Sequence, residues 1–217
     1  MTLVAVSKTV NAERLAAAVG AGLTLLGENR VQEAESKAPS LPGARWHLIG
    51  PLQSNKARRA VELFDVIQSV DSVDLARRLD RLAGEAGRVP LGVYLQVNVD
   101  LDSAKAGFLP ETLARELAEL AELANLRLLG LMTVGLLTGT AEEARPTFVR
   151  LRELSAGLRS RVAALGPGLS MGMSGDFEVA VEEGATLIRV GRALFGERSA
   201  RIAPSSEIAS RPDGVGA

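Results

Sequence analysis

The stretch that decides the fold is LVAVSKT, residues 3–9, where a compact apolar run long enough for a buried strand ends at a serine and a lysine. A segment of helical propensity follows, and Asn11 is suited to cap it. The same order of apolar run and helical pattern recurs along the chain, and Pro146 is expected to break or kink the helix predicted over residues 141–164. Eight candidate strands result, at residues 3–7, 23–27, 45–50, 65–70, 91–99, 126–134, 169–173 and 186–190.

Strands that alternate with helices predict a parallel sheet, and eight such strands can close a (β/α)8 barrel. An open doubly wound sheet is the main alternative, but its Gly-x-Gly-x-x-Gly fingerprint is absent after the first strand. The length of 217 residues suits one domain. We therefore expect a single α/β domain of the TIM-barrel type over residues 1–199. Residues 200–217, rich in small and polar residues without periodicity, are predicted to form a disordered tail.

Composition and charge exclude several classes of function. The net charge is −1, with acidic and basic residues mixed along the chain, which is not the basic footprint of a nucleic-acid-binding protein. With no cysteine and one histidine, the chain has neither a thiolate nor a multi-histidine metal site. We find no run that could span a bilayer and no signal peptide, so we expect a cytoplasmic protein with no membrane partner. No self-complementary interface is evident, and a monomer is the expected state.

Lys8 stands at the end of the first candidate strand, where the functional side chains of a barrel gather. Entry into the apolar top of a barrel would desolvate its ammonium and favour the neutral amine. A neutral amine can attack an aldehyde and form an imine. The alternative is a lysine whose aliphatic stem lies along the strand end while its ammonium stays in water.

Two loops predict a binding site for an anion. Barrels often bind phosphate in the loops after strands seven and eight, at a helix N-terminus. After the seventh candidate strand, Ser174 offers a hydroxyl and Gly175 lets the backbone come close. After the eighth, Gly191 and Arg192 open a segment whose backbone N–H groups can face a phosphate. The alternative is a pair of ordinary glycine-containing turns.

Three further polar residues need assignment. Arg189 alternates with apolar neighbours, so it should point into the barrel, where a guanidinium needs acceptors. A pyridine nitrogen is one acceptor, and an ion pair with an acid such as Glu28 is the alternative. His47 lies between apolar residues and is expected to be a core residue or, at most, to line a pocket. Lys105 is expected to be a surface lysine, with a second contact to an aldehyde or phosphate as the alternative.

Several segments together resemble the pyridoxal phosphate homeostasis proteins, a family of alanine-racemase-like barrels, from about residue 3 to residue 198. They are VAVSKT (4–9), GEN (27–29), WHLIGPLQSNK (46–56), GLMT (130–133), LSMGMS (169–174), RVG (189–191) and FG (195–196). The string His-x-Ile-Gly-x-Leu-Gln-x-Asn-Lys, residues 47–56, is long and specific. The segments also occur in the order that the family has.

The resemblance implies a one-domain barrel of the alanine racemase N-terminal type, without the C-terminal β domain of that enzyme, and pyridoxal 5'-phosphate (PLP) as the cofactor. Lys8 matches the lysine that holds the cofactor as an imine. Ser174 and the backbone at Gly191 and Arg192 match the phosphate contacts, and Arg189 matches the arginine near the pyridine nitrogen. The family's pocket positions are matched by Asn29, His47 and Met132.

The resemblance also implies a protein that binds PLP, delivers it to apo-enzymes and balances vitamin B6 pools, without established turnover. A racemase and an imine-forming aldolase are the alternatives. Racemisation needs a base on each face of the carbanion, and the racemases that share this barrel take a tyrosine from a second domain. The one tyrosine of this chain, Tyr94, lies in the middle of the fifth candidate strand. An aldolase would form its imine only with a substrate.

The N-terminus departs from the family pattern. Family members usually have a helix before the first strand, whereas here the first strand begins at Leu3. We expect a barrel without that helix to expose apolar surface and to melt at a lower temperature than a chain extended upstream.

Overall fold

Eight parallel strands close into a barrel in sequence order, which confirms the architecture predicted from the alternation. The computed structural model describes residues 1–135 and 139–196, and the tail predicted for residues 200–217 lies outside them. The strands are β1 Thr2–Val6, β2 Leu25–Glu28, β3 Arg45–Leu48, β4 Val66–Val70, β5 Leu91–Gln96, β6 Leu126–Met132, β7 Gly168–Ser170 and β8 Leu187–Val190.

One helix follows each strand. The helices are α1 Ala12–Gly20, α2 Val31–Lys37, α3 Ala57–Leu63, α4 Val73–Glu85, α5 Pro110–Ala121, α6 Arg145–Arg159, α7 Phe177–Glu182 and α8 Arg192–Phe195, with short 3-10 turns at Ala38–Ser40, Ser54–Lys56 and Glu142–Ala144. Asn11 caps α1 as predicted, because its side-chain oxygen accepts from the Arg14 N–H at 2.9 Å. The expected break near Pro146 is confirmed, because Glu142–Ala144 form a 3-10 turn and α6 begins only at Arg145. Proline lies in the first turn of α6, where its missing N–H costs no helical hydrogen bond.

Apolar side chains pack in two layers, one on each side of the barrel wall. The larger layer lies between the strands and the helices, and it takes Ala5 from β1. The smaller layer contains Val4, Tyr94, Met132 and Leu187 and fills the barrel itself. Strands that are buried on both faces read as nearly continuous apolar runs, which is the pattern seen in the sequence. Within the two described ranges, no helix is long and apolar enough to cross a membrane.

Close backbone contact between β6 and β7 depends on glycine. Gly130 has a φ of +150°, and a Cβ atom there would lie 1.9 Å from the carbonyl oxygen of Gly168. No side chain fits at that distance, and the two strands would have to separate to admit one. These glycines therefore set the spacing at this part of the wall.

We predict that Gly130→Ala destabilises the protein by roughly 3 kcal/mol or more, through backbone strain and overpacking. Gly157, in α6, is the matched control, because a Cβ there meets nothing within 4 Å. Gly157→Ala should stabilise the protein by about 0.5–1 kcal/mol. Chemical denaturation measures both changes, and equal unfolding midpoints for the two variants would contradict the prediction.

Candidate functional site

A cavity of about 190 Å³ opens at the carboxyl end of the barrel, where β1 and β8 end side by side. Val6, Lys8 and Thr9 line it from the β1 side, and Gly191 and Arg192 line it from the β8 side. The two strands pair in parallel with Ala5 opposite Val190, so the residues that follow them must meet. Lys8 is half-buried at this edge. The structure therefore brings the predicted lysine and part of the predicted anion loop to one cavity.

Ser174 joins the two predicted anion loops. Its Oγ accepts from the backbone N–H of Gly191 at 3.1 Å and from that of Ala193 at 3.4 Å. Asp176 shapes the loop that carries the serine, since its carboxylate accepts from the Met173 N–H at 2.6 Å. A hydroxyl and the N–H groups of the first turn of α8 are thus gathered at one place, which is the donor set that a phosphate needs.

Arg189 lies inside the barrel as predicted and is 4% exposed. Its Nη1 donates to Ser170 Oγ at 2.6 Å, and its Nη2 donates to the Thr133 carbonyl oxygen at 2.8 Å. Burial lowers the pKa of the guanidinium to about 10, so it stays charged at neutral pH. The alternative of an ion pair with Glu28 is wrong. None of the ion pairs among the described residues includes Arg189, and Glu28 instead binds the Lys37 ammonium at 2.8 Å.

A relay of hydrogen bonds crosses the barrel from Arg189 to His47. The Ser170 hydroxyl that accepts from Arg189 donates to Gln68 Oε1 at 2.6 Å, and Gln68 Nε2 lies 2.8 Å from His47 Nδ1. Burial lowers the pKa of His47 to about 4, so the ring is neutral and its Nδ1 can accept from the amide. His47 is therefore a core residue whose Nδ1 is hydrogen-bonded to Gln68. This agrees with the sequence interpretation of His47 as a core residue.

The remaining predicted residues lie in three different environments. Asn29 is half-buried directly after β2, and its backbone packs closely on Gly50. A Cβ atom on Gly50 would lie 2.4 Å from the Asn29 carbonyl oxygen. Met132 is fully buried in the apolar layer inside the barrel. Lys105 is half-buried, and its Nζ donates to the Val134 carbonyl oxygen at 3.1 Å.

Sequence reasoning missed Gln68 and Ser170, the two middle members of the relay. Both are fully buried polar residues in strands that are mostly apolar, although Ser69 beside Gln68 is also polar and buried. That position was an available signal, since a buried polar side chain must find a hydrogen-bond partner. It could not reveal which partner, because the two residues are 102 positions apart in the chain.

Acid should destabilise the fold through His47, the one histidine of the chain. Its pKa is about 4 in the folded state and about 6.5 in the unfolded state, so the unfolded state binds more protons between these values. Stability is then full above pH 6.5 and falls as the pH drops towards 4, by roughly 3 kcal/mol at 1.36 kcal/mol per pH unit. Chemical denaturation at pH 7 and pH 4.5 measures this loss. His47→Gln should lose less, and an equal loss in both proteins would rule out the histidine as the cause.

Known proteins share both the sequence and the fold of this chain. The sequence profile of the family described as alanine racemase, N-terminal domain, matches residues 1–199. The pyridoxal phosphate homeostasis protein of Synechocystis is 42% identical over 199 residues, which cover 90% of this chain and 91% of that protein. The corresponding protein of Pseudomonas aeruginosa is 44% identical, with 90% and 84% covered.

Solved structures agree with these relatives. The PipY protein of Synechococcus elongatus without PLP is 49% identical and superimposes with a TM-score of 0.86, covering 90% of this chain and 93% of that one. The structure of PipY with PLP bound gives a TM-score of 0.84 at 48% identity, with 90% and 92% covered. This chain is therefore a member of the pyridoxal phosphate homeostasis protein family, with the barrel of the alanine racemase N-terminal domain.

Proposed function

We propose that this protein binds PLP through Lys8 and serves vitamin B6 homeostasis in the cytoplasm. The observation that carries the proposal is the cavity at the β1–β8 edge, where Lys8 lies beside Gly191 and Arg192 with Ser174 against the same loop. The PLP-bound structure of PipY, a close relative, supports the choice of cofactor. When bound, PLP supplies an aldehyde that forms an imine with a primary amine, and a phosphate that needs several donors.

The donor set of the cavity fits such a group. Gly191 and Ala193 contribute backbone N–H groups, which in this structure donate hydrogen bonds to the Ser174 hydroxyl oxygen. A change of the Ser174 χ1 rotamer would release both N–H groups for an anion, and the hydroxyl could then donate to the same anion. Arg192 is exposed at the start of α8 and adds a positive charge beside them. These residues would hold the phosphate, while Lys8 would hold the aldehyde end.

Arg189 would serve the ring nitrogen of the cofactor. It is a buried cation whose known acceptors, a hydroxyl and a carbonyl oxygen, are both neutral. Five N–H groups belong to a guanidinium, so donors remain for a ligand. A guanidinium that donates to the pyridine nitrogen occupies its lone pair and keeps a proton from binding there. An unprotonated ring withdraws electrons less strongly, which favours holding the cofactor over carbanion chemistry.

Placement of Tyr94 argues against a racemase. Its side chain packs with Val4 inside the barrel, and burial raises its pKa. Lys8 lies beyond the end of β1 and lines the cavity, whereas Tyr94 is not among the residues that line it. A proton acceptor on the second face of a substrate carbanion would have to reach the cavity. We infer that the protein carries PLP, supplies it to apo-enzymes and acts as a monomer, without turnover of its own.

We place the cofactor-binding domain at residues 1–199, and the match of the family profile to that range supports the boundary. Asn29, His47 and Met132 would surround the cofactor pocket rather than bond to the phosphate. The fully buried position of Met132 suits a residue beneath the bound ring.

Lys8→Ala should abolish the visible absorbance that appears when the wild-type protein is mixed with PLP. The chain has four lysines, namely Lys8, Lys37, Lys56 and Lys105, so the site can be mapped directly. Reduction of the wild-type complex with borohydride followed by peptide mass spectrometry should place the label on Lys8. A label mainly on another lysine would contradict the assignment.

The same loaded protein distinguishes carrier from enzyme. A carrier should activate an apo-enzyme faster than PLP dissociates from the carrier into solution on dilution. It should also racemise no amino acid. Measurable racemisation that Lys8→Ala abolishes would overturn the carrier role. An imine that forms only with a carbonyl substrate, and not with PLP, would favour the aldolase alternative.

Ser174→Ala should weaken the binding of PLP by about tenfold or more, because a hydrogen bond to a charged group contributes roughly 1.5–3 kcal/mol. Pyridoxal, which has the aldehyde but no phosphate, is the matched control ligand. Its affinity should change less than twofold, roughly, since the serine faces only the phosphate. Equal losses for both ligands in absorbance titrations would show that Ser174 does not bind the phosphate.

A further inference from the structure

The turn that carries Lys8 has a strained backbone. The Val10 N–H donates to the Ser7 carbonyl oxygen at 3.0 Å, which makes Lys8 and Thr9 the two central residues of a four-residue turn. Thr9 has a φ of +65°. A positive φ at the third position of a turn is typical of glycine, and a β-branched residue is strongly disfavoured there. Such strain persists only where the surrounding structure enforces it.

Two residues outside the cavity, Glu28 and Lys37, hold Ser7, the first residue of this turn. We call Ser7, Glu28 and Lys37 together the Lys37 clamp. Lys37 Nζ donates to the Ser7 carbonyl oxygen at 2.9 Å and to Glu28 Oε2 at 2.8 Å. The Ser7 hydroxyl donates to the same Glu28 oxygen at 2.8 Å. The carbonyl oxygen that closes the turn is thus also fixed by an ammonium.

Burial makes the clamp stiff. The side chain of Glu28 is fully buried and that of Lys37 is 12% exposed. The second carboxylate oxygen of Glu28 accepts from the Asn29 N–H at 2.9 Å, so both oxygens are engaged. An ion pair of this kind gains little net stability, and breaking one partner leaves a costly buried charge. Its value to the protein must therefore be sought in the geometry that it imposes.

We propose that the Lys37 clamp is a positioning device that holds Lys8 in the strained turn and so keeps its amine at the cavity shared with Gly191 and Arg192. The clamp lies between the barrel wall and α2, and none of its three residues is among those that line the cavity. It acts on the cofactor only through the backbone of Ser7. This inference rests on the proposed function, because it assigns a purpose to the position of Lys8.

A structural role alone makes a different prediction. If the ion pair only seals the layer between the barrel and α2, its loss lowers stability whatever residue occupies position 9. If the clamp enforces the strained turn, a residue that adopts a positive φ without strain should make it dispensable. Glycine is that residue, so Thr9→Gly separates the two roles.

Glu28→Gln is the variant that loosens the clamp with the least change in shape. In the native protein, the Ser7 hydroxyl, the Asn29 N–H and the Lys37 ammonium all donate to the Glu28 carboxylate. The glutamine side chain has an NH₂ group in place of one carboxylate oxygen. That NH₂ group would face one or more of these donors and could not accept from them. Glu33→Gln is the matched control. Glu33 is the other carboxylate beside Lys37, at 3.6 Å, but it is 35% exposed and pairs across one turn of α2.

Two measurements follow the clamp. One is the affinity for PLP by absorbance titration. The other, made without cofactor, is hydrogen exchange at the Val10 amide, which reports on the turn itself. Glu28→Gln should reduce both the affinity and the protection by about tenfold, and Glu33→Gln should change either by less than about twofold. In the Thr9→Gly background, Glu28→Gln should change both by less than about threefold relative to Thr9→Gly alone.

Wild-type affinity or Val10 protection in Glu28→Gln would overturn the clamp, as would an equally large effect of Glu28→Gln in the Thr9→Gly background. If Glu28→Gln does not fold, Ser7→Ala replaces it, since it removes one clamp contact and leaves the ion pair. Unchanged Val10 protection in Ser7→Ala would then count against the proposal. Failure of the proposed function looks different: the wild-type protein would bind no PLP, while the exchange measurement would still test the clamp.

Discussion

The parallel ladder between β1 and β8 closes the barrel, and it runs through four consecutive residue pairs from Thr2 with Leu187 to Ala5 with Val190. This register fixes the two strand ends at the same height. Lys8 and Gly191, almost as far apart in sequence as the chain allows, become neighbours as a result. A slip of one residue would turn the inward side chains of β1 outwards, because successive side chains in a strand face opposite sides. The candidate site depends on this pairing more than on any contact inside it.

The barrel interior has to be filled, and this chain fills it with two kinds of side chain. Apolar residues, including Val4 and Tyr94, form one cluster. The relay from Arg189 to His47 is the polar part, and every buried polar side-chain atom of the described residues has a hydrogen-bond partner. A satisfied polar network of this kind gains specificity of side-chain placement at little net stability. Within the described residues, the acceptors of Arg189 in this network are a hydroxyl and a carbonyl oxygen rather than a carboxylate.

Prediction from the sequence succeeded for features that depend on local pattern. Strand and helix alternation gave the barrel, Asn11 gave the start of α1, and the glycine-containing loops after β7 and β8 proved to be in contact. The errors concern partners. Glu28 was a candidate partner for Arg189 because it is an acid directly after a predicted strand, but it lies on the outer side of the wall with Lys37. Nothing in the spacing of a sequence says which of two acids a buried cation will meet.

By itself, the sequence determined the fold class, the lysine at the end of the first strand and the family motifs around it. Those properties follow from residue type and periodicity, which act over a few neighbouring residues. Tertiary structure alone decided that Thr9 adopts a positive φ, that Lys37 reaches the Ser7 carbonyl and that Gln68 joins His47 to Ser170. The hydrogen bonds join residues 21 to 102 positions apart, and they form because closing the barrel brings distant parts of the chain together. The φ of Thr9 opposes the local preference of a β-branched residue.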